Sequence, residues 1–242
     1  MGILDKSSEL VRLLAEQGPL SPAEIAQHVG MPRSSVYRLV EALNAVAMTE
    51  TLPDSNVRLT LRWLKLADST RTGMREWVHA HDVLDDLARQ TRQTTFLSVP
   101  RGHTAVCIDW APGSAIEVLV LRPGKTLPLY AGAAGRVTLA AHLEDPESYL
   151  ELAPFEPFTV HTLVDADALR ADMETTRNQG FCISDQDVTE GIGALGVAVT
   201  SGAGAYVGAL SLAGLSDEIS DRRALFVEAL AAAADALSAQ LG

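Results

Sequence analysis

Two groups of residues have the types and spacing for chemistry. The first is Arg33, Ser34 and Ser35 followed by Tyr37 and Arg38, cationic and short polar side chains with no acid before Glu41. Guanidinium and hydroxyl groups presented together suit hydrogen bonding to phosphate oxygens and base edges. The second is Asp185, Asp187 and Glu190, three acids within six positions and directly after Ser184. With His161 or His103 they would make a metal site or a hydrolytic site. No pair among them has ligand spacing on a regular element, and Ser184-Asp185 has no histidine close in sequence to complete a triad. The favoured reading of these acids is a solvated loop before a strand. His79 and His81 stand at i,i+2, which does not share a helix face. His142 falls near a helix end, where it would serve the dipole. With no glycine loop of the usual phosphate-binding kinds, no cofactor and no metal are expected.

The elements around the first group place it on a helix. An amphipathic helix runs over residues 8–17 with Leu10, Val11, Leu13 and Leu14 on one face, and Gly18-Pro19 stops it. Ser21-Pro22-Ala23-Glu24 reads as a capping box with proline at the first helical position. That helix buries Ile25, Ala26 and Val29 and ends at Gly30. Pro32 opens a third helix with Val36, Leu39, Val40 and Leu43 inward, leaving Arg33, Ser34, Ser35, Tyr37 and Arg38 outside. Helix, glycine turn and helix make a helix-turn-helix, whose second helix enters the major groove by its N-terminal end. Two extended stretches at 48–52 and 57–61 around Pro53-Asp54-Ser55-Asn56 read as a hairpin, as a wing would be. A three-helix protein-binding module is the competing reading.

Beyond the hairpin, helices are expected at 61–71 and 74–90, with Trp63 and Trp77 suggesting either an interface or packing on the next domain. Strands follow at 95–99, 104–110 and 116–121. The Gly/Ala-rich stretch Ala131–Gly135 opens a helix reaching His142, and further helices are expected at 146–152 and 165–179. Strands return at 181–184, 194–200 and 206–213, and one alanine-rich helix spans 217–241. Strands segregated from helices in this way indicate an α+β domain with an antiparallel sheet.

Composition limits the partners. Of the 242 residues, 47% are hydrophobic, enough for a packed core. No apolar run approaches the ~20 residues that span a bilayer, and MGILDKSSEL lacks the basic start and apolar stretch of a signal peptide. Cys107 and Cys182, far apart in sequence, read as buried thiols of a cytoplasmic protein. The net charge of −12 is uneven. Residues 1–62 hold six basic and seven acidic groups, so about −11 belongs to the rest. An N-terminal part so near neutrality needs a local cationic patch, and pairing of two chains, to hold DNA.

The sequence resembles the isocitrate-lyase-regulator (IclR) type of bacterial transcription factor over nearly its whole length. The match rests on Ala26-Gln27-His28-Val29-Gly30-Met31-Pro32-Arg33-Ser34-Ser35-Val36-Tyr37-Arg38-Leu39. It continues through Gly124-Lys125-Thr126-Leu127-Pro128-Leu129-Tyr130-Ala131-Gly132-Ala133-Ala134-Gly135-Arg136 and ends with Arg177-Asn178-Gln179-Gly180-Phe181 and Glu190-Gly191-Ile192. The resemblance implies a winged helix-turn-helix over residues 1–62, a linker helix over 63–78 and a GAF-like effector-binding and oligomerisation domain over 79–242. It implies a homodimer, often paired again into a tetramer, on a partly palindromic double-stranded operator, with a small organic effector and no membrane partner. Arg38, Ser34 and Tyr37 would hold phosphates, Ser35 belongs to the same motif, Arg33 would reach base edges or phosphates, and Arg58 would be the wing contact.

For the effector the resemblance implies a pocket with Ala133 and Ala134 on the helix-starting loop, walls of Ile116, Leu119 and Leu127, and polar positions at Ser184, Ala194, Ser211 and Ala213. Family members that bind small keto acids carry Asp, Cys and Ser where this chain has Ser184, Ala194 and Ala213; only Ser211 is kept. The smaller, less polar lining suits a larger or more apolar ligand, loss of ligand binding, or plain sheet packing. The expected function is therefore ligand-responsive transcription regulation and not catalysis. A small-molecule hydrolase or isomerase using the Asp185/Asp187/Glu190 loop, and a ligand-binding module with a protein-binding helical domain, remain as alternatives.

Overall fold

The computed structural model describes residues 2–114, 121–143 and 145–241, and the chain divides into two compact units, Met1–Met74 and Arg75–Gly242. In the first unit helices α1 (Ile3–Gln17), α2 (Pro22–Val29) and α3 (Arg33–Ala45) precede a hairpin of β1 (Thr49–Thr51) and β2 (Val57–Leu59), and α4 (Arg62–Gly73) follows. One core joins Leu10, Leu13 and Leu14 of α1, Ile25 and Val29 of α2, and Val36, Leu39 and Val40 of α3, with Val57 of β2 closing it. The capping box holds as the spacing predicts. The Ser21 hydroxyl accepts from the Glu24 amide at 3.3 Å while the Ser21 amide donates to the Glu24 carboxylate at 2.8 Å. Gly30 takes the left-handed conformation at φ +63° and ends α2. Helix α1 starts at Ile3, earlier than expected from Ser8. Ile3 and Leu4 are exposed and carry no periodic signal, and the turn is set instead by the Gly2 amide donating to Asp5 at 2.7 Å.

Among the described residues the second unit is a six-stranded antiparallel sheet with helices on both faces. Its strands are β3 (Thr94–Arg101), β4 (Thr104–Ala111), β5 (Thr126–Pro128), β6 (Cys182–Asp185), β7 (Ile192–Thr200) and β8 (Tyr206–Leu215), in spatial order β5-β4-β3-β8-β7-β6. Period-two alternation sends Leu97, Leu195, Leu210 and Leu212 to one face, where α5 (Ala80–Thr91) and α10 (Arg223–Gln240) cover them with Leu84, Phe226 and Leu230. Ala105 and Ala209 point to the other face, under Ala134 and Val137 of α6 (Gly132–Ala141). Helices α7 (Pro146–Leu150) and α8 (Ala166–Gln179) build a further cluster with Leu139, Leu150, Leu169 and Met173. Among the described residues no helix is long and apolar enough to cross a membrane.

Three expectations change. The helix expected over 74–90 is a short 3-10 turn at Arg75–Trp77 followed by α5, because His79, at φ −101° and ψ 4°, leaves helical geometry. The last helix is two, α9 (Ser216–Asp221) and α10, broken at Arg222. The edge strand β5 was not expected; at three residues with a terminal proline it carries almost no pattern. The strand expected over 116–121 falls, but for Leu121, outside the described residues. Both tryptophans are engaged: the Trp63 indole donates to the Met48 carbonyl at 2.7 Å, and Trp77 packs on the second unit's core.

One close approach fixes α6. A Cβ on Gly135 would stand 2.3 Å from the Pro128 carbonyl oxygen, a backbone atom that cannot yield. Gly135→Ala is therefore expected to destabilise the second unit by about 1–3 kcal/mol, read as a lower denaturation midpoint.

Candidate functional site

In the first unit α3 presents the expected surface. Arg33, Ser34, Tyr37 and Arg38 are exposed and Ser35 is half-buried, while Val36, Leu39 and Val40 are turned inward. The other cations of residues 1–62 are taken internally. Lys6 donates to the Val29 carbonyl at 2.6 Å and pairs with Glu9 at 3.0 Å. Arg12 lies 3.8 Å from Glu16, and Arg62 donates to the Val46 carbonyl at 2.6 Å. Arg58, the expected wing contact, sits opposite Glu50 in the hairpin register and pairs with it at 2.8 Å. Among the described residues Arg33 and Arg38 have no ion-pair partner. The two uncommitted cations of this stretch thus both lie on the exposed side of α3.

In the second unit the structure gathers most of the expected effector residues. The register places Ser184, Ala194 and Ala213 side by side across β6, β7 and β8, with Ser211 two residues along β8, opposite Phe96. These four, with Leu127, Ala133 and Ala134, line one cavity of about 120 Å³ between the sheet and the start of α6. Ile116 and Leu119 lie outside the described residues. Phe96, Leu121, Val188 and Ile192 add apolar walls that the sequence reading did not name, and Lys125 and Thr126 add polar lining. Phe96 was recoverable in principle, since it pairs with Ser211 across the sheet. Gly132 enters the helix at φ +70°, with Leu127 so close that a Cβ would fall 2.8 Å from its Cδ1.

Below the cavity lies a buried charge cluster that corrects the solvated-loop reading. Asp185 and Glu190 are exposed, but Asp187 is only 2% exposed. Its carboxylate accepts from the Gly132 amide at 3.0 Å and from the Ser184 hydroxyl. The Arg136 guanidinium lies 3.3 Å from it and donates to Asp172 at 2.6 Å and to the Ile183 carbonyl. The Thr162 hydroxyl donates to the Asp187 carbonyl at 2.6 Å. Burial raises the Asp172 carboxyl above its ordinary range, against the pull of Arg136. A cation inside a helix of glycine, alanine and leucine was the available signal, because a buried arginine requires a buried acid.

The other candidates are structural. Asp185 accepts from the Ser216 hydroxyl, His103 packs edge-on against Tyr149 at 5.2 Å, and His161 is exposed. His81 faces Asp109 at 3.2 Å, and His142 packs near Tyr206. Cys107 and Cys182 are free and buried, and burial pushes both thiols up to about 12, so they are protonated at neutral pH. Among the described residues no three His, Cys, Asp or Glu side chains gather for a metal ion.

Comparison with known proteins agrees with both halves. Residues 3–48 match the IclR helix-turn-helix domain, and residues 72–239 match the C-terminal domain of bacterial transcriptional regulator IclR. An HTH-type transcriptional regulator of Mycobacterium tuberculosis is 31% identical over 196 residues, 80% of this chain and 75% of that protein. The HTH-type transcriptional regulator XynR of Escherichia coli is 28% identical, covering 99% of this chain and 96% of its own length. Among solved structures, an IclR homolog of Microbacterium hydrocarbonoxydans in complex with 4-hydroxybenzoate aligns with TM-score 0.86 at 20% identity, over 99% of both chains. The Thermotoga maritima IclR aligns with TM-score 0.79 at 24% identity, over 99% of this chain and 98% of that one.

The Glu50–Arg58 pair is half-exposed and contributes little stability, about 0–1 kcal/mol. It does hold the wing's cation on a carboxylate. Glu50→Gln should tighten binding to random-sequence duplex DNA by about threefold to tenfold, measured by fluorescence anisotropy. In an Arg58→Gln background the gain should vanish; an equal gain there would mean added charge alone is responsible.

Proposed function

The chain belongs to the IclR family of bacterial transcriptional regulators, and from that premise we propose that a small organic molecule held in the α6 cavity sets how tightly it grips its operator. Its relatives are DNA-binding regulators and not enzymes. Asp187, the buried member of the acid group, is bound to Arg136, Gly132 and Ser184, an arrangement for holding backbone in place.

The cavity is the observation that carries the reading. Its walls are mostly apolar, with polar groups reaching it from Ser184 of β6, Ser211 of β8, Lys125, Thr126, Thr189 and the start of α6. An apolar cavity of about 150 Å³ takes a benzene-sized ligand, so about 120 Å³ suits one ring or a chain of similar bulk. On the DNA side, α3 lies in the major groove with Arg38, Ser34 and Tyr37 on phosphates, Ser35 beside them and Arg33 on base edges or phosphates. Arg58 exchanges Glu50 for a phosphate at the wing. Two uncommitted arginines in residues 1–62 are few, which favours a homodimer on a partly palindromic operator in the cytoplasm. Exposed Ile3 and Leu4 on α1 and Leu64 on α4 are apolar surface available for that pairing.

Two measurements test this. In gel shifts with the protein's own upstream DNA, salt-sensitive and sequence-specific retardation is expected. Ser34→Glu, which puts a carboxylate against phosphate on an exposed position, should abolish it without changing the far-UV circular dichroism. A thermal-shift screen of small organic molecules should find one that stabilises the protein by about 2.7 kcal/mol at ~100 times its dissociation constant and also alters retardation. A ligand that binds without altering retardation would sink the regulatory reading.

A further inference from the structure

We propose that the cavity takes an uncharged carbonyl compound (a ketone, aldehyde, ester, lactone or amide) and discriminates against carboxylates of the same shape. The inference rests on the cavity being the effector site. Between the start of α6 and β8 its polar lining is built of donors. The N-cap residue of α6, Ala131, has no capping side chain, and the amides of Ala133 and Ala134, being in the first turn, have no intrahelical acceptor. Ser211 is only 4% exposed, lines the cavity, and its hydroxyl has no hydrogen-bond partner among the described residues. Unpaired donors in an apolar enclosure call for an acceptor.

A helix N-terminus ordinarily favours an anion. Here that place is already filled from within the fold, because the Asp187 carboxylate accepts the Gly132 amide at 3.0 Å. A ligand carboxylate on the next two amides would put a second anion on the same helix end. Arg136 does not compensate for both, since it is shared between Asp187 and Asp172, leaving the cluster with one excess negative charge. Ser184 does not help either: its proton is committed to Asp187, so it turns only lone pairs toward a ligand. Lys125 is exposed, where water screens its charge. A neutral carbonyl oxygen accepts the same bonds from Ala133, Ala134 and Ser211 without meeting this repulsion, and the apolar walls take its body.

The test is calorimetry and thermal shift on the full chain with matched pairs: benzamide and acetophenone against benzoate, and cyclohexanone against cyclohexanecarboxylate. At neutral pH the uncharged members should bind about tenfold or more tightly than their carboxylate counterparts. Ser211→Ala should weaken the uncharged members, and Asp187→Asn should raise the affinity for benzoate relative to acetophenone. Benzoate binding as tightly as benzamide would overturn the proposal, as would silence of every compound at millimolar concentration. If Asp187→Asn fails to fold, the wild-type pairs and Ser211→Ala decide. A different ligand class that binds and alters DNA retardation would defeat this inference while leaving the regulatory reading standing.

Discussion

A buried carboxylate has to be paired, and in the second unit meeting that requirement organises the fold. Asp187 joins the start of α6 through the Gly132 amide, β6 through Ser184, and Arg136 one turn further along α6. Arg136 carries the tie on to Asp172 of α8, and Thr162 adds the loop before α8. Breaking a buried pair by removing one partner typically costs about 3–5 kcal/mol, because the other charge stays buried and uncompensated. The cavity is therefore framed by a cluster whose members hold one another, and residues 188 and 189, which follow Asp187, become part of its wall.

The first unit works under the opposite constraint, a scarcity of free charge. Its helices are fixed by local caps and an apolar core, and most of its cations are spent on internal partners. Lys6 serves the end of α2, Arg62 the Val46 carbonyl, and Arg58 the acid opposite it in the hairpin. Arg33 and Arg38 escape because α3 turns its apolar stripe inward and leaves its N-terminal polar residues to solvent. Long-range attraction from a strongly basic domain is absent, so the proposed recognition by α3 would rest on short-range contacts.

Elements with local rules were legible in the sequence. Ser21 and Glu24 are three residues apart, and the box they form follows from that spacing; Gly30 and Gly180 end helices in the left-handed conformation that glycine tolerates. The strands β6, β7 and β8 stand close to where the sequence reading expected them, and the lining positions Ser184, Ala194 and Ala213, which the resemblance implied, fall on one rung of the sheet. What was not legible depended on distant partners. The burial of Asp187 is decided by Arg136, more than fifty residues away. Breaks at His79 and Arg222 interrupt runs of helix-compatible residues with no proline or glycine at the break. Arg58 read as a free wing cation because Glu50 becomes its neighbour only once the hairpin register is set.

Sparse charge on one unit and a braced cavity on the other are compatible requirements for a switch. If each chain contributes few phosphate contacts, the affinity for DNA is modest, and occupancy sits near the point where a small free energy decides it. Allosteric coupling of about 1–3 kcal/mol then changes affinity by about 5–150-fold, enough to empty or fill an operator. A strongly basic domain would bury such a change under non-specific attraction. The proposed ligand of the cavity would in turn have to bind without loosening the cluster beneath it, and one that takes up unpaired donors while adding no charge would meet that condition.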